Sequence, residues 1–210
     1  MKKTKVLVIH GGMTFKNEKD FLRYILKVRG VRTGDHIHWS RGPLQKGLGK
    51  QFEVSNPKMP LADYAKYRHW KPYFERFLPL LGRDFVLIGE SLGAIFLAKY
   101  LSEHKLRNQA LSVYLVCAPF DNTLPGEDLV GGFTLKNKDL SLLEKNAKNL
   151  YLLFSGNDNV VPVSHAEKYR KRLKKGRIII YKDKNGHFDV TAFPEIVKLI
   201  RMDVKKKRKR

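Results

Sequence analysis

Short apolar runs alternate along the chain with longer stretches in which apolar residues recur every three or four positions. Lys5 to His10 (KVLVIH) is a continuous β-branched run closed by Gly11-Gly12, which is how a strand buried on both faces reads. Phe52 to Val54, Asp84 to Ile88, Leu111 to Val116, Leu150 to Phe154 and Arg177 to Tyr181 predict five further strands. Between them, Glu18 to Val28 puts Phe21, Leu22, Ile25 and Leu26 on one side of a helix. Pro43 to Lys50 predicts a short helix. Leu61 to Leu80 reads as mostly helical, interrupted near Pro72 and stopped by Pro79 and Gly82. Helices are also expected at Leu92 to Glu103, Leu140 to Lys148, His165 to Leu173 and Phe193 to Val204. Strands separated by helices imply an α/β protein: a three-layer α/β/α sandwich around a mainly parallel central sheet. Residues 1–204 read as a single domain. Within it, 120–149 has no strand-like run, carries Pro125, Gly126, Gly131 and Gly132, and is expected to be a small cap segment.

Charge changes the picture at the surface. The 210 residues hold 42 Lys and Arg against 20 Asp and Glu, a net of +22. The basic run Lys205 to Arg210 accounts for only six of these, so the excess is spread through the domain. The run has no apolar residue to anchor it, and 205–210 is expected to be a disordered tail able to bind polyanions weakly. No apolar run approaches the ~20 residues of a membrane helix, so no membrane insertion is expected. The apolar stretch Val6 to Ile9 is shorter than a signal core. The lone Cys117 excludes an internal disulfide and a multi-thiolate zinc site, and a cytoplasmic protein is expected. The glycines at 42–49 do not match a phosphate-binding loop.

The chemistry concentrates in Asp84 to Ala94 (DFVLIGESLGA), which reads strand, Gly-x-Ser-x-Gly, helix. A sharp turn there lifts the Ser91 hydroxyl above the sheet, toward the free N–H groups of the helix that follows. Such a serine needs a base and an orienting acid. Strand 150–154 leads into Gly156-Asn157-Asp158-Asn159, and strand 177–181 leads into Asn185-Gly186-His187-Phe188. Ser91, Asp158 and His187 therefore follow three strands in the order nucleophile, acid, base, on loops that open at one edge of the sheet. Asp121, after Pro119, is the alternative acid. The oxyanion hole is expected from the N–H of Leu92 and that of Gly12 or Met13. Met13, Phe133 and Glu90 are candidate substrate-binding residues. Phe15 and Trp70 could also line the acyl site, with core packing favoured for Trp70. Cys117 reads as a small buried residue at a strand end. His36 and His38 would share a strand face, but with no third ligand evident they are expected to be structural or surface residues, and no metal site is expected.

With these residues in view, the chain resembles the α/β-hydrolases and, within them, the small serine hydrolases of the retinoblastoma-binding protein 9/YdeN type. The resemblance spans residues 4–204. It rests on Val8-Ile9-His10-Gly11-Gly12, Pro57-Lys58-Met59-Pro60, Trp70, Gly89-Glu90-Ser91-Leu92-Gly93, Gly156 to Pro162, and Gly186-His187-Phe188. It implies an α/β-hydrolase fold with a small or absent lid, no cofactor, and esterase-like activity on small acyl substrates with Ser91, Asp158 and His187 as triad. Two features depart from the pattern: Glu90 stands where His is common, and Thr14 to Gly49 is longer than the minimal form. The competing readings are a protein-binding module on a hydrolase scaffold and a nucleic-acid-associated protein using the basic tail. The sequence leaves the oligomeric state open.

Overall fold

The structure, a computed structural model, describes residues 3–31, 33, 37–135 and 139–208. In chain order its elements are β1 (Thr4–Ile9), α1 (Glu18–Lys27), α2 (Gly42–Leu48), β2 (Phe52–Ser55), a 3-10 turn (Ala62–Tyr64), α3 (Tyr67–Glu75), α4 (Leu78–Leu81), β3 (Val86–Glu90) and α5 (Leu92–Glu103). They continue as β4 (Ala110–Val116), α6 (Ser141–Lys145), β5 (Ala147–Ser155), α7 (Ser164–Arg170), β6 (Arg177–Tyr181) and α8 (Pro194–Arg208). The six strands form one sheet in the order β2-β1-β3-β4-β5-β6, and every pairing is parallel.

A parallel strand buried on both faces sends alternate side chains into two separate cores. Leu7, Ile9, Leu87, Leu115 and Phe154 enter one core, against Trp70 and Phe74 of α3, most of α5, and Tyr169 of α7. Val6, Val8, Val86, Ile88 and Leu153 enter the other, against Leu44 and Leu48 of α2 and Ile196, Ile200 and Val204 of α8. The α/β/α layering expected from the run pattern is the one observed. The chain runs from β1 to one neighbour, β2, then crosses to the other, β3. This is a topological switch point, where open α/β sheets leave a crevice beyond the strand carboxyl ends.

Three boundaries differ from expectation. The span 61–80 breaks into the 3-10 turn, α3 and α4, and Pro72 lies inside α3 without ending it. Strand β5 starts at Ala147, inside the stretch expected to be helical, because Ala147 pairs with Ala110 and that register outweighs local propensity. The basic end is not a free tail through its whole length: α8 continues to Arg208. Buried Asp203 holds that end of the helix. Its Oδ2 accepts from Ser112 Oγ at 2.6 Å and from the Tyr114 hydroxyl at 2.9 Å, and its Oδ1 accepts from the Tyr151 hydroxyl at 3.0 Å. Beyond it, Lys207 pairs with Asp84. Lys209 and Arg210 lie outside the described residues.

Candidate active site

The site assembles at the carboxyl ends of β1, β3, β4, β5 and β6. Ser91, between β3 and α5, has φ 51° and ψ −116°, a conformation in which a non-glycine residue stores about 1–3 kcal/mol. Its neighbours make this turn possible. A Cβ on Gly89 would sit 2.5 Å from the Gly93 carbonyl oxygen, and one on Gly93 would sit 2.1 Å from that of Ile9. Glycine is therefore required at both flanks by contact with backbone. The turn is tied to β4 by the Ser91 N–H donating to the Val116 carbonyl at 2.9 Å.

Asp158 follows β5. Its Oδ1 accepts from the Val160 and Val161 N–H groups, both at 2.9 Å, and its Oδ2 accepts from His187 Nδ1 at 2.8 Å. The turn-forming and histidine-orienting roles of Asp158 thus use different oxygens of one buried carboxylate. The alternative acid, Asp121, pairs instead with Lys168 at 2.7 Å and with Thr123. Because Nδ1 of His187 donates to Asp158, Nε2 is left as an acceptor. Its partner is Cys117 Sγ at 3.7 Å. Among the described residues no hydrogen bond joins His187 to Ser91 Oγ. Burial lowers the His187 pKa while the Asp158 carboxylate raises it, and the net direction is upward. Burial pushes the Cys117 thiol up, so it stays S–H at neutral pH.

A cavity of about 260 Å³ lies over these groups, lined by Ser91, His187 and Cys117 together with Gly11, Gly12 and Met13. The β1 loop is pinned. His10 Nε2 accepts from the Met59 N–H at 2.9 Å, and its Nδ1 donates to the Gly11 carbonyl. Of the two loop amides expected to serve an oxyanion, that of Met13 is occupied, donating to the Ala62 carbonyl at 2.8 Å. The Gly12 N–H has no hydrogen-bond partner among the described residues. Leu92, first residue of α5, has no intrahelical acceptor for its N–H.

The expected pocket residues divide. Met13 and Glu90 line the cavity; Phe133 does not. Phe133 is fully buried in the core, edge-on to Trp70 with centroids 5.2 Å apart, while Glu127 of the same 120–149 segment lines the cavity. Trp70 is core, and Phe15 packs on Phe21, Tyr24 and Tyr64. His38, expected to be structural or at the surface, lines the cavity with Trp39, and His36 lies outside the described residues. Cys117 is buried at a strand end as expected, but it also touches the histidine. The β3–β4 register accounts for its place beside Ser91, since Val116 pairs with Glu90, but not for its contact with His187, which follows β6. Cys117, Asp158 and His187 offer ligand atoms within 4.8 Å of one another. The Asp158 bond occupies Nδ1 and Nε2 points away from it, so one ion cannot take all three while that bond stands.

Glu90 is the least conventional member. Burial pushes its carboxyl up to about 7, against the pull of Ser40, Arg41 and His187. Its Oε1 and the Nε1 of Trp39 are two of the three buried side-chain polar atoms without a hydrogen-bond partner among the described residues.

Comparison with known proteins bears on the family and the fold. The chain is 26% identical over 143 residues to the putative hydrolase YdeN of Bacillus subtilis (strain 168), covering 67% of this chain and 73% of that one. The crystal structure of the B. subtilis ydeN gene product superposes with a TM-score of 0.76 at 20% identity, over 97% of this chain and 100% of the other. Est1E from Butyrivibrio proteoclasticus, solved with ferulic acid bound, gives 0.63 at 12% identity over 100% and 91%. The esterase domain of a Rhodothermus marinus protein gives 0.60 at 12% over 99% and 88%. These two share the α/β-hydrolase fold. No described helix is long and apolar enough to cross a membrane. The serine hydrolase family model matches residues 25–200, a span that contains the elbow serine, the aspartate and the histidine, and the chain belongs to that family.

Proposed function

We propose that this chain is a carboxylesterase-like enzyme that cleaves small esters through Ser91, His187 and Asp158. On substrate binding, His187 Nε2 exchanges its contact with Cys117 for the Ser91 hydroxyl and takes its proton as Oγ attacks the carbonyl carbon. The oxyanion is held by the N–H groups of Leu92 and Gly12, each worth ~3 kcal/mol to such a transition state. Collapse expels the alcohol, protonated by His187, and leaves an acyl-serine. Water, deprotonated by the same nitrogen, releases the acid. Thioesters and activated amides would follow the same route.

The observation that carries this reading is the convergence of a strained serine and an aspartate-bound histidine on one cavity. The test is labelling with a fluorophosphonate probe together with turnover of p-nitrophenyl acetate and butyrate. Both should be lost in Ser91→Ala while the circular dichroism spectrum is unchanged. Labelling and turnover that survive in Ser91→Ala would refute the assignment.

A further inference from the structure

The chain is strongly basic overall, yet among the described residues lining the Ser91 cavity there is no Lys or Arg, while Glu90 and Glu127 are acidic. Glu127 stands at the mouth. Glu90 lies deeper, its side chain only 12% exposed. Its surroundings leave one of its two oxygens without a partner, although Ser40 hydrogen-bonds the carboxyl. The Oε2 atom is 3.8 Å from His38 Nδ1, which itself bonds Ser40 Oγ at 2.9 Å, and Oε1 has no partner among the described residues. Arg41 and His187 act on the carboxyl from a distance, and no described lysine or arginine forms an ion pair with it. A buried carboxyl with one oxygen unpartnered and no lysine or arginine paired to it is unfavourable, and folding alone gives no reason to place one in a wall that an apolar residue could fill.

We propose that the Glu90 side of the cavity is a subsite for a cationic group, so that the preferred substrates are esters carrying a primary ammonium a few bonds from the scissile carbonyl. An ammonium supplies a donor to Oε1, which has none among the described residues, and holds the carboxyl in the charged form. Near neutral pH Glu90 sits at the balance between its two forms, and a nearby cation tips it toward the carboxylate. The Trp39 N–H, also unpartnered among the described residues, would donate to an anion equally well. It is one neutral dipole against two carboxyl groups, and net charge decides in favour of the cation. The cavity volume of about 260 Å³ limits the substrate to a few heavy atoms on either side of the ester. A basic exterior around an acidic pocket also separates attraction of the molecule to anionic surfaces from selection at the site.

The kinetic arm rests on the esterase reading; a binding arm does not. Full-length protein and Glu90→Gln are assayed by pH-stat at mildly alkaline pH, where the amine stays protonated. The substrates are β-alanine ethyl ester, its neutral isostere ethyl butyrate, and anionic monoethyl succinate. The expected order of kcat/KM is cation, neutral, anion, with about tenfold or more between the ends, and Glu90→Gln should collapse the cation-to-neutral ratio. In parallel, saturation-transfer NMR on Ser91→Ala should detect the β-alanine ester, and the signal should vanish when Glu90→Gln is added. Hydrolysis of all three esters without a cation preference overturns the subsite and leaves the esterase reading standing. An equal loss on all three esters in Glu90→Gln means that Glu90 acts on His187, and also overturns it. Binding of the amine without turnover keeps the subsite and removes the esterase reading. Neither binding nor turnover removes both.

Discussion

The Nε2 nitrogen of His187 lies 3.7 Å from the sulfur of Cys117. The thiol is buried and its pKa is raised by that burial, so it acts as an S–H donor toward Nε2. In the proposed mechanism it therefore competes with Ser91 for the same lone pair. A weak hydrogen bond of this kind contributes about 1 kcal/mol or less, so Cys117→Ala should raise kcat/KM by up to about fivefold. Steady-state kinetics on a neutral ester reads this directly. Loss of fluorophosphonate labelling in Cys117→Ala would instead move the nucleophile to the sulfur.

Asp158 and Asp121 both follow strands, and their surroundings separate them. Asp158 accepts from His187, while Asp121 is held by Lys168 and Thr123. Asp158→Asn keeps the shape but can no longer accept a proton-bearing Nδ1 without a flip, so the histidine adopts the wrong tautomer. A loss of ~10⁴ in kcat is expected, by the effect of the same change in serine proteases. Asp121→Asn should leave kcat within about threefold, since it removes a half-exposed ion pair remote from the histidine. The reverse ranking would reassign the acid.

How far the chain could be read without coordinates follows from the range of each interaction. The strands were legible because parallel strands buried on both faces write continuous β-branched runs, as in Lys5 to His10. The elbow was legible because Gly89 and Gly93 answer to local backbone contact. Asp158 and His187 each follow such a run, and strand ends mark one edge of the sheet. What stayed hidden depends on register between distant segments. Cys117 meets His187 only because the loops that follow β4 and β6, strands separated by β5, converge at one edge of the sheet. Phe133 looked like a pocket residue beside two glycines, but its place is set by Trp70 and Tyr67. The end of α8 looked solvated because no local apolar residue anchors it, while the anchor, Asp203, is polar and finds its three hydroxyl donors on β4 and β5.

The pH dependence of hydrolysis carries a sign that the site sets. An unperturbed histidine would place the acid limb near ~6.5. Burial lowers the His187 value, but the Asp158 carboxylate on Nδ1 raises it, and the net shift is upward. The base must be neutral, so activity is lost as pH falls through the raised value. The midpoint of log kcat/KM against pH on ethyl butyrate should therefore lie above ~6.5. Glu90, pushed up to about 7, ionises in the same range, so the profile should be repeated in Glu90→Gln. A limb in that variant at or below the ordinary histidine value would contradict the Asp158 contact.

Asp203 is a stability prediction independent of the site. Its carboxylate accepts three buried hydroxyl donors, from Ser112, Tyr114 and Tyr151. Asp203→Ala strands all three. At ~1–3 kcal/mol for each unsatisfied buried group, with partial relaxation, a loss of about 3–5 kcal/mol is expected. Asp203→Asn keeps an acceptor oxygen and should lose less. Urea denaturation followed by circular dichroism measures both, and a loss below about 1 kcal/mol in Asp203→Ala would mean that the hydroxyls find other partners.

Truncation after Val204 tests what the basic end does. The helix continues to Arg208, and Lys207 pairs with Asp84, whose carboxyl is held below its ordinary range chiefly by that lysine. The pair is partly exposed, so its loss should lower stability by no more than about 1 kcal/mol. Val204 and Asp203, which anchor α8 in the second core, remain. The helix reaches the sheet near Ser112 and Asp84, at the amino ends of β4 and β3, while Ser91 lies at the carboxyl end of β3. Ester kinetics should therefore change by less than about twofold in the truncated protein. If the run binds polyanions, titration with duplex DNA at several salt concentrations will show a shallower log–log slope after truncation, by ~0.9 for each phosphate the shortened chain no longer neutralises. Equal slopes would reduce these cations to a helix end and its solvation. A large fall in ester turnover would mean that the C-terminus reaches the cavity from the far side of the sheet, which the parallel strand order forbids unless the chain is rearranged.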